Sequence, residues 1–252
     1  TQHLVDSLLR LQVHIVKLFS PEHGFRGKAA AGEKVANQTD ALTGLPIISL
    51  YGKHLKPTPE DLADVDLILF DVQDVGVRFY TYISSLQYIL EAALELHKPL
   101  LILDRPNPNG FYVDGPVLDS NSRSFVGLQP VPLVYGMTLG EYALMLAGEN
   151  WLSPEANRNN AYNVQTEPTA DTPFHIQVIK CKFYDHNSYY ALPVAPSPNL
   201  AKQSAIYWYP STALFEGTVL SEGRGTDLPF QVFGHPQLPD TLFAFTPQPN
   251  EA

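Results

Sequence analysis

The sequence predicts an α/β protein: a doubly wound, mainly parallel sheet with a second, smaller α/β domain. Three observations carry this. Short runs of aliphatic and β-branched residues recur at 13–19, 45–51, 66–71 and 99–104, and they read as strands buried on both faces. A long helical pattern separates the last two runs, and alternation of strand and helix builds parallel sheets. The hydrophobic period then weakens over 153–173, which are rich in Asn, Pro and Thr, before a strand pattern resumes at 175–181. That weakening places a boundary between a first domain of residues 1–155 and a second of residues 174–252.

Taken in order, residues 4–11 form an amphipathic helix pattern (Leu4, Val5, Leu8, Leu9, Leu11), followed by the first strand at 13–19. No strand pattern precedes this helix, so the given sequence reads as starting inside a longer one. Residues 28–43 are small and polar, a loop long enough to suggest a functional role. After the strand at 45–51, Thr58 and Pro59 read as the cap and first position of a short helix. Residues 66–71 are the clearest buried strand. A helix follows from about 82 to 97, with Ile83, Leu86, Ile89, Leu90, Ala93 and Leu94 at helical spacing. The strand at 99–104 leads into an irregular stretch over 111–135. Thr138 and Glu141 then form a capping box for a helix reaching about Gly148. Beyond the proline-rich loop at 193–199, Asn199 caps a helix extending to Phe215.

Composition narrows the function. A net charge of -10 and the lack of any Lys/Arg run argue against a nucleic-acid or anionic-membrane surface. Cys181 is the sole cysteine, which excludes an internal disulfide and a thiolate metal cage. No apolar run is long enough to span a bilayer, and no signal peptide heads the given sequence. No G-x-G-x-x-G follows a strand, and there is no P-loop, no G-x-S-x-G elbow and no H-E-x-x-H. No cofactor is expected.

Polar clusters close three of the strands: Glu22, His23 and Arg26; Asp71, Asp74 and Arg78; Asp104, Arg105 and Asn107. If these strands are parallel neighbours, the clusters share the carboxyl edge of the sheet, where ligands of open α/β folds sit. Buried strands ending in carboxylates are costly unless the charges are paired or used. Each cluster alone is equally well read as ion pairs or turn-forming aspartates; three together point to a site. A fourth cluster, Glu216 with Glu222 and Arg224 in a glycine-rich turn, has a plain reading as an exposed hairpin and a functional one as a carboxylate clamp. His23 and His186 with several aspartates leave open an oxygen-rich metal site.

Three of these segments, Ser20-Pro21-Glu22-His23-Gly24-Phe25-Arg26-Gly27, 71–82 and Asp104-Arg105-Pro106-Asn107-Pro108, resemble the exo-β-N-acetylmuramidases of the NamZ type. Further matches are 135–141, Pro196-Ser197-Pro198-Asn199-Leu200, 214–218 and 221–226, so the resemblance covers nearly the whole chain. It implies a Rossmann-like catalytic domain, a smaller second domain and a cleft between them. It also implies release of terminal, non-reducing N-acetylmuramic acid from peptidoglycan fragments, a location in the cell envelope, and a catalytic glutamate at Glu22. Members of the family usually begin earlier and continue further.

Glycoside cleavage needs a proton donor to the leaving oxygen and support for positive charge at the anomeric carbon, commonly a pair of carboxylates. Glu22 is the expected general acid/base, positioned by His23 and Arg26. Asp71 or Asp74 leads as the second carboxylate, with Glu216 and Glu222 behind. Arg78 and Arg224 are candidates for the lactyl carboxylate of muramic acid. Tyr80 and Tyr82 are expected to stack on or hydrogen-bond the sugar, with Arg26, Asp104 and Asn107 as further substrate-binding residues. A recognition protein without turnover and a metal-dependent hydrolase using His23, Asp71 and Asp74 are the competing readings; no metal ligand set is assigned.

Overall fold

The computed structural model describes residues 2–26, 38–160, 164–165, 176–239 and 244–248. Two sheets organise it. The first contains β1 (Leu18–Ser20), β2 (Gln38–Thr39) and β3 (Pro46–Ser49) in the order β1-β3-β2. Here β1 runs parallel to β3, with Leu18 opposite Ile47, and β2 runs antiparallel to it. The second is wholly parallel, built from β4 (Ile68–Phe70), β5 (Leu100–Leu103), β6 (Val164–Gln165) and β7 (Ile176–Ile179) in the order β4-β5-β7-β6. The class is therefore α/β with parallel strands, as the alternating pattern predicts.

The helix between β4 and β5 is α2 (Tyr82–Glu95), and it is apolar on more than one face. Ile83, Leu86, Leu90 and Leu94 are buried with Ile68, Leu100, Ile102 and Ile176 in one core. Helix α3 (Leu139–Gly148) starts with the expected capping box: Thr138 Oγ1 accepts from the Glu141 amide, and the Glu141 carboxylate accepts from the Thr138 amide at 2.9 Å. A second core joins Val75, Val77, Tyr80, Tyr82 and Leu133 to Leu200, Ile206, Tyr209 and Phe230. The last four lie on or beside α5 (Gln203–Thr212). The segment after residue 198 is thus packed on the loop that precedes α2.

Several expectations are corrected. Residues 13–17 join no ladder, and the first strand is only Leu18–Ser20. Thr58 and Asp61 do exchange cap bonds, but the chain makes turns rather than a helix. Lys17 Nζ takes the Asp61 carbonyl at 2.9 Å, an acceptor that a continuing helix would use. Part of the supposed linker is a helix, α4 (Pro154–Asn160), which packs on α2 through Ala156; residues 161–163 and 166–175 lie outside the described residues. The strand at 176–179 pairs with β5, so it continues the second sheet. The helix expected to follow Asn199 is interrupted: short 3₁₀ turns at Pro198–Leu200 and Ala213–Gly217 flank α5.

The amino-terminal segment is tied down by charge. Arg26 donates from Nε and Nη2 to the two Asp40 oxygens at 3.1 and 2.7 Å and reaches Asp6 of helix α1 (Leu4–Arg10) at 3.5 Å. The Arg26 hydrogen bonds hold the buried Asp40 carboxyl down to about 2. A depressed carboxylate stabilises the fold above its ordinary pKa and loses that contribution as pH falls from about 4 toward 2. Arg26→Ala is expected to lower unfolding free energy at pH 7 by about 2 kcal/mol in a denaturant titration. The difference from wild type should shrink across that acid window.

Candidate active site

The chain leaves β1 into a tight turn. Gly24 N donates to the Pro21 carbonyl at 3.2 Å, and His23 and Gly24 both adopt left-handed angles (φ 71° and 76°). A left-handed histidine is unusual backbone, and such outliers gather at functional sites. The turn aims Glu22 into a cavity of about 200 Å³. Two hydroxyls from different loops hold its carboxylate. Tyr51, just past β3, donates to Oε1 at 3.0 Å, and Thr81, just before α2, donates to Oε2 at 3.0 Å. Tyr82 donates to the Glu22 carbonyl at 3.2 Å and fixes the backbone as well. A hydroxyl can donate or accept, so these partners suit a carboxyl that gains and loses a proton.

Aromatic rings build the wall. The buried His23 ring stacks on Tyr80 (centroids 6.0 Å apart) and meets the edge of Tyr82. Tyr80, Tyr209 and Phe230 continue the series edge-to-face at 5.9 and 4.8 Å. Tyr80 OH also donates to the Pro196 carbonyl at 2.9 Å, which brings Ser197 and Asn199 to the cavity. Gly76, in the same loop, packs directly against Asn107. Its φ is +78°, and a Cβ there would sit 2.1 Å from the Asn107 side chain.

The fourth cluster completes the site. Arg224 lies over the Phe230 ring at 5.0 Å, pairs with Glu216 through Nη2, and reaches Glu222 from Nε at 2.8 Å. Glu216 and Arg224 line the cavity beside Glu22; Glu222 is buried behind the arginine. The Tyr209 phenol, raised mainly by burial, also feels Glu216, Arg224 and Glu22, which places all four in one electrostatic neighbourhood.

Other expected site residues are engaged by partners within the fold. Arg26 is committed to Asp40 and Asp6. Asp71 accepts from Arg105 Nε at 2.6 Å, so the clusters after β4 and β5 neutralise each other. Arg78 donates to the carbonyls of Pro116, at 2.9 Å, and Val131. Asp104 accepts from Thr138 Oγ1 at 2.6 Å and Gly140 N at 2.8 Å, closing the start of α3; burial raises its pKa against these bonds. It faces a separate hollow of about 160 Å³ with Glu141 and Cys181. Asn107 bonds to the Met137 carbonyl and the Asn109 amide, both at 2.8 Å. His186 contacts the Gly110 carbonyl and Glu141. Among the described residues no three His, Cys, Asp or Glu side chains are grouped to hold a metal ion, so the His23, Asp71 and Asp74 trio is not assembled.

Asp74 is the most altered of these acids. One oxygen, Oδ2, accepts from Gly76 N at 2.6 Å and from the Tyr135 hydroxyl, while the buried Oδ1 has no hydrogen-bond partner. Burial pushes its pKa up to about 7.

The sequence did not single out Tyr51, Thr81, Tyr209, Ser197 or Asn199 as site residues. Tyr51 stands just after a strand, as Glu22 does, and Thr81 sits between two flagged tyrosines, so each carried a faint signal. Tyr209 lies inside a helix pattern and carried none.

With the geometry established, comparison with known proteins adds the family. A model of the NamZ exo-β-N-acetylmuramidase N-terminal domain matches residues 1–204, and one of its C-terminal domain matches residues 207–248. The chain belongs to the NamZ family. The peptidoglycan β-N-acetylmuramidase NamZ of Bacillus subtilis (strain 168) is 43% identical over 234 residues, which cover 91% of this chain and 52% of that protein. Two crystal structures of DUF1343 family proteins from Bacteroides fragilis NCTC 9343 superpose closely. One has a TM-score of 0.82 at 47% identity, covering 98% of this chain and 62% of the other. The second has a TM-score of 0.79 at 35% identity, covering 94% and 57%. The chain therefore spans between half and two thirds of the length of these relatives.

The burial of Asp74 sets a stability test. A carboxyl raised from 3.8 to about 7 favours the folded state below its unfolded pKa, and that contribution is lost as pH rises through 7. Asp74→Asn keeps the acceptor for Gly76 and Tyr135 without the charge. At pH 8 it is expected to melt about 5 °C above wild type, with the gap closing near pH 4.

Proposed function

We propose that the chain is the catalytic part of a glycoside hydrolase that releases terminal, non-reducing N-acetylmuramic acid from peptidoglycan fragments. The observation that carries this reading is Glu22, gripped by two hydroxyls at the wall of a sugar-sized cavity that also holds a carboxylate and a guanidinium. Family membership and the name of the Bacillus subtilis relative support it.

In this reading Glu22 protonates the leaving oxygen and afterwards takes a proton back, with Tyr51 and Thr81 keeping its carboxyl in line. Glu216, rather than Asp71 or Asp74, is the second carboxylate, since it shares the cavity while the aspartates are engaged elsewhere. Its charge supports the oxocarbenium character that develops at the anomeric carbon. Arg224 receives the lactyl carboxylate of muramic acid. Its stem and guanidinium are already fixed by Phe230, Glu216 and Glu222, so little freedom is lost on binding. Tyr80 and Tyr82 shape the wall, and Tyr82 also fixes the Glu22 backbone. A peptidoglycan-derived substrate supports a location in the cell envelope. No helix among the described residues is long and apolar enough to cross a membrane.

The test is release of free N-acetylmuramic acid from a chromogenic muramoside, with and without a chelator. Glu22→Gln is expected to lower kcat about 1,000-fold with little change in KM. Binding without release by wild type would favour a recognition protein, and loss of activity in chelator a metal-dependent hydrolase. Arg224→Leu is expected to raise KM for the muramoside about 30-fold, while a glucosaminide lacking the lactyl group is affected far less. Equal losses on both would remove Arg224 from carboxylate recognition.

A further inference from the structure

One part of the cavity wall comes from the segment between Gly115 and Val131. Residues 116–131 leave the body of the protein and return to it, and their tip, Phe125 and Val126, lines the cavity that holds Glu22. The neck of this arm is closed twice. Arg78 donates to the carbonyls of Pro116 and Val131, and Leu118 N donates to the Val131 carbonyl at 3.2 Å. Gln129 adds an anchor on the returning limb, donating to Gln87 of α2 at 3.1 Å and to the Trp151 carbonyl at 2.7 Å. Compact loops with joined ends of this kind are frequently functional.

The tip is equally constrained. Ser124 and Gly127 exchange both backbone hydrogen bonds, at 3.0 and 2.9 Å, so Phe125 and Val126 are the two central residues of a tight turn. The Phe125 ring lies parallel to Tyr88 of α2 (5° between planes, centroids 6.2 Å apart). A Cβ at Gly127 would lie 3.1 Å from Leu118 and 3.5 Å from Arg78 Cδ, so the turn rests on the clasp itself. Val126 nevertheless remains 54% exposed. An exposed valine on a rigid arm at a cavity wall marks the mouth, where whatever extends beyond the bound sugar must pass.

We propose that the Phe125–Val126 turn contacts the leaving group, binding the C–H face of the saccharide to which the terminal muramic acid is joined. This rests on the glycosidase reading above and extends it to the second half of the substrate. The chemistry separates the two halves. Glu22, Glu216 and Arg224 supply the charge that muramic acid needs, whereas the side chains at the tip carry no hydrogen-bonding group and suit the apolar face of a pyranose ring. The arm is pre-ordered, so binding there costs little conformational entropy.

The test uses the Glu22→Gln protein, in which binding is separated from turnover, and titrates two ligands by calorimetry. These are free N-acetylmuramic acid and the disaccharide of N-acetylmuramic acid β-linked to N-acetylglucosamine. Adding Phe125→Ala is expected to weaken the disaccharide about tenfold while the monosaccharide stays within about twofold, and Phe125→Tyr is expected to restore disaccharide affinity. Val126→Asp, on the exposed side of the turn, is expected to give the same selective loss. Equal weakening of both ligands, or no change in either, overturns the assignment. Failure of the Glu22→Gln protein with an intact arm to bind either ligand would instead refute the glycosidase reading, and the inference with it.

Discussion

The position of one carboxylate depends on two hydroxyls that reach it from different parts of the fold. Tyr51 follows β3 in the first sheet, and Thr81 stands between β4 of the second sheet and α2. Neither loop alone could orient Glu22, because a glutamate on a turn has three rotatable bonds and water on one side. The left-handed backbone at His23 and Gly24 supplies the direction, and the Tyr82 hydroxyl on the Glu22 carbonyl prevents relaxation. The site therefore exists only when both sheets are docked, and the aromatic core from Tyr80 to Phe230 is what docks the later segment against them.

The carboxylates divide according to the partners that the fold gives each of them. Isolated charge near a parallel sheet is expensive, and the fold removes most of it locally: Asp71 on Arg105, Asp104 on the start of α3, and Asp40 on Arg26. Asp74 is buried so completely that its charged form is disfavoured up to about neutral pH. What remains at the cavity is Glu22 with Glu216 and Arg224, and there the charges face space large enough for a ligand.

Much of this was legible along the chain. The helix at 82–95, the capping box at Thr138 and Glu141, and the strands ending near Phe70 and Leu103 follow from hydrophobic period and local hydrogen-bond chemistry. Glu22 and the Glu216 to Arg224 cluster were visible as polar residues beside glycines. The partition of roles among the acids was not, since an aspartate after a strand looks the same whether it meets Arg105, Tyr135 or a substrate. Arg78 illustrates this: its sequence setting suggests a carboxylate clamp, while in space it clasps the neck of the 116–131 arm.

By itself the sequence determined the α/β class and most strand and helix positions, because those depend on side-chain period and on neighbours a few residues away. Tertiary structure decided which carboxylate accompanies Glu22, which tyrosine and threonine hold it, and which apolar turn stands at the mouth of its cavity. These are contacts across separations of 29 and 59 residues for the two hydroxyls alone. Nothing local distinguishes such partners from their neighbours until packing of the two sheets and the later helix brings them within hydrogen-bonding reach.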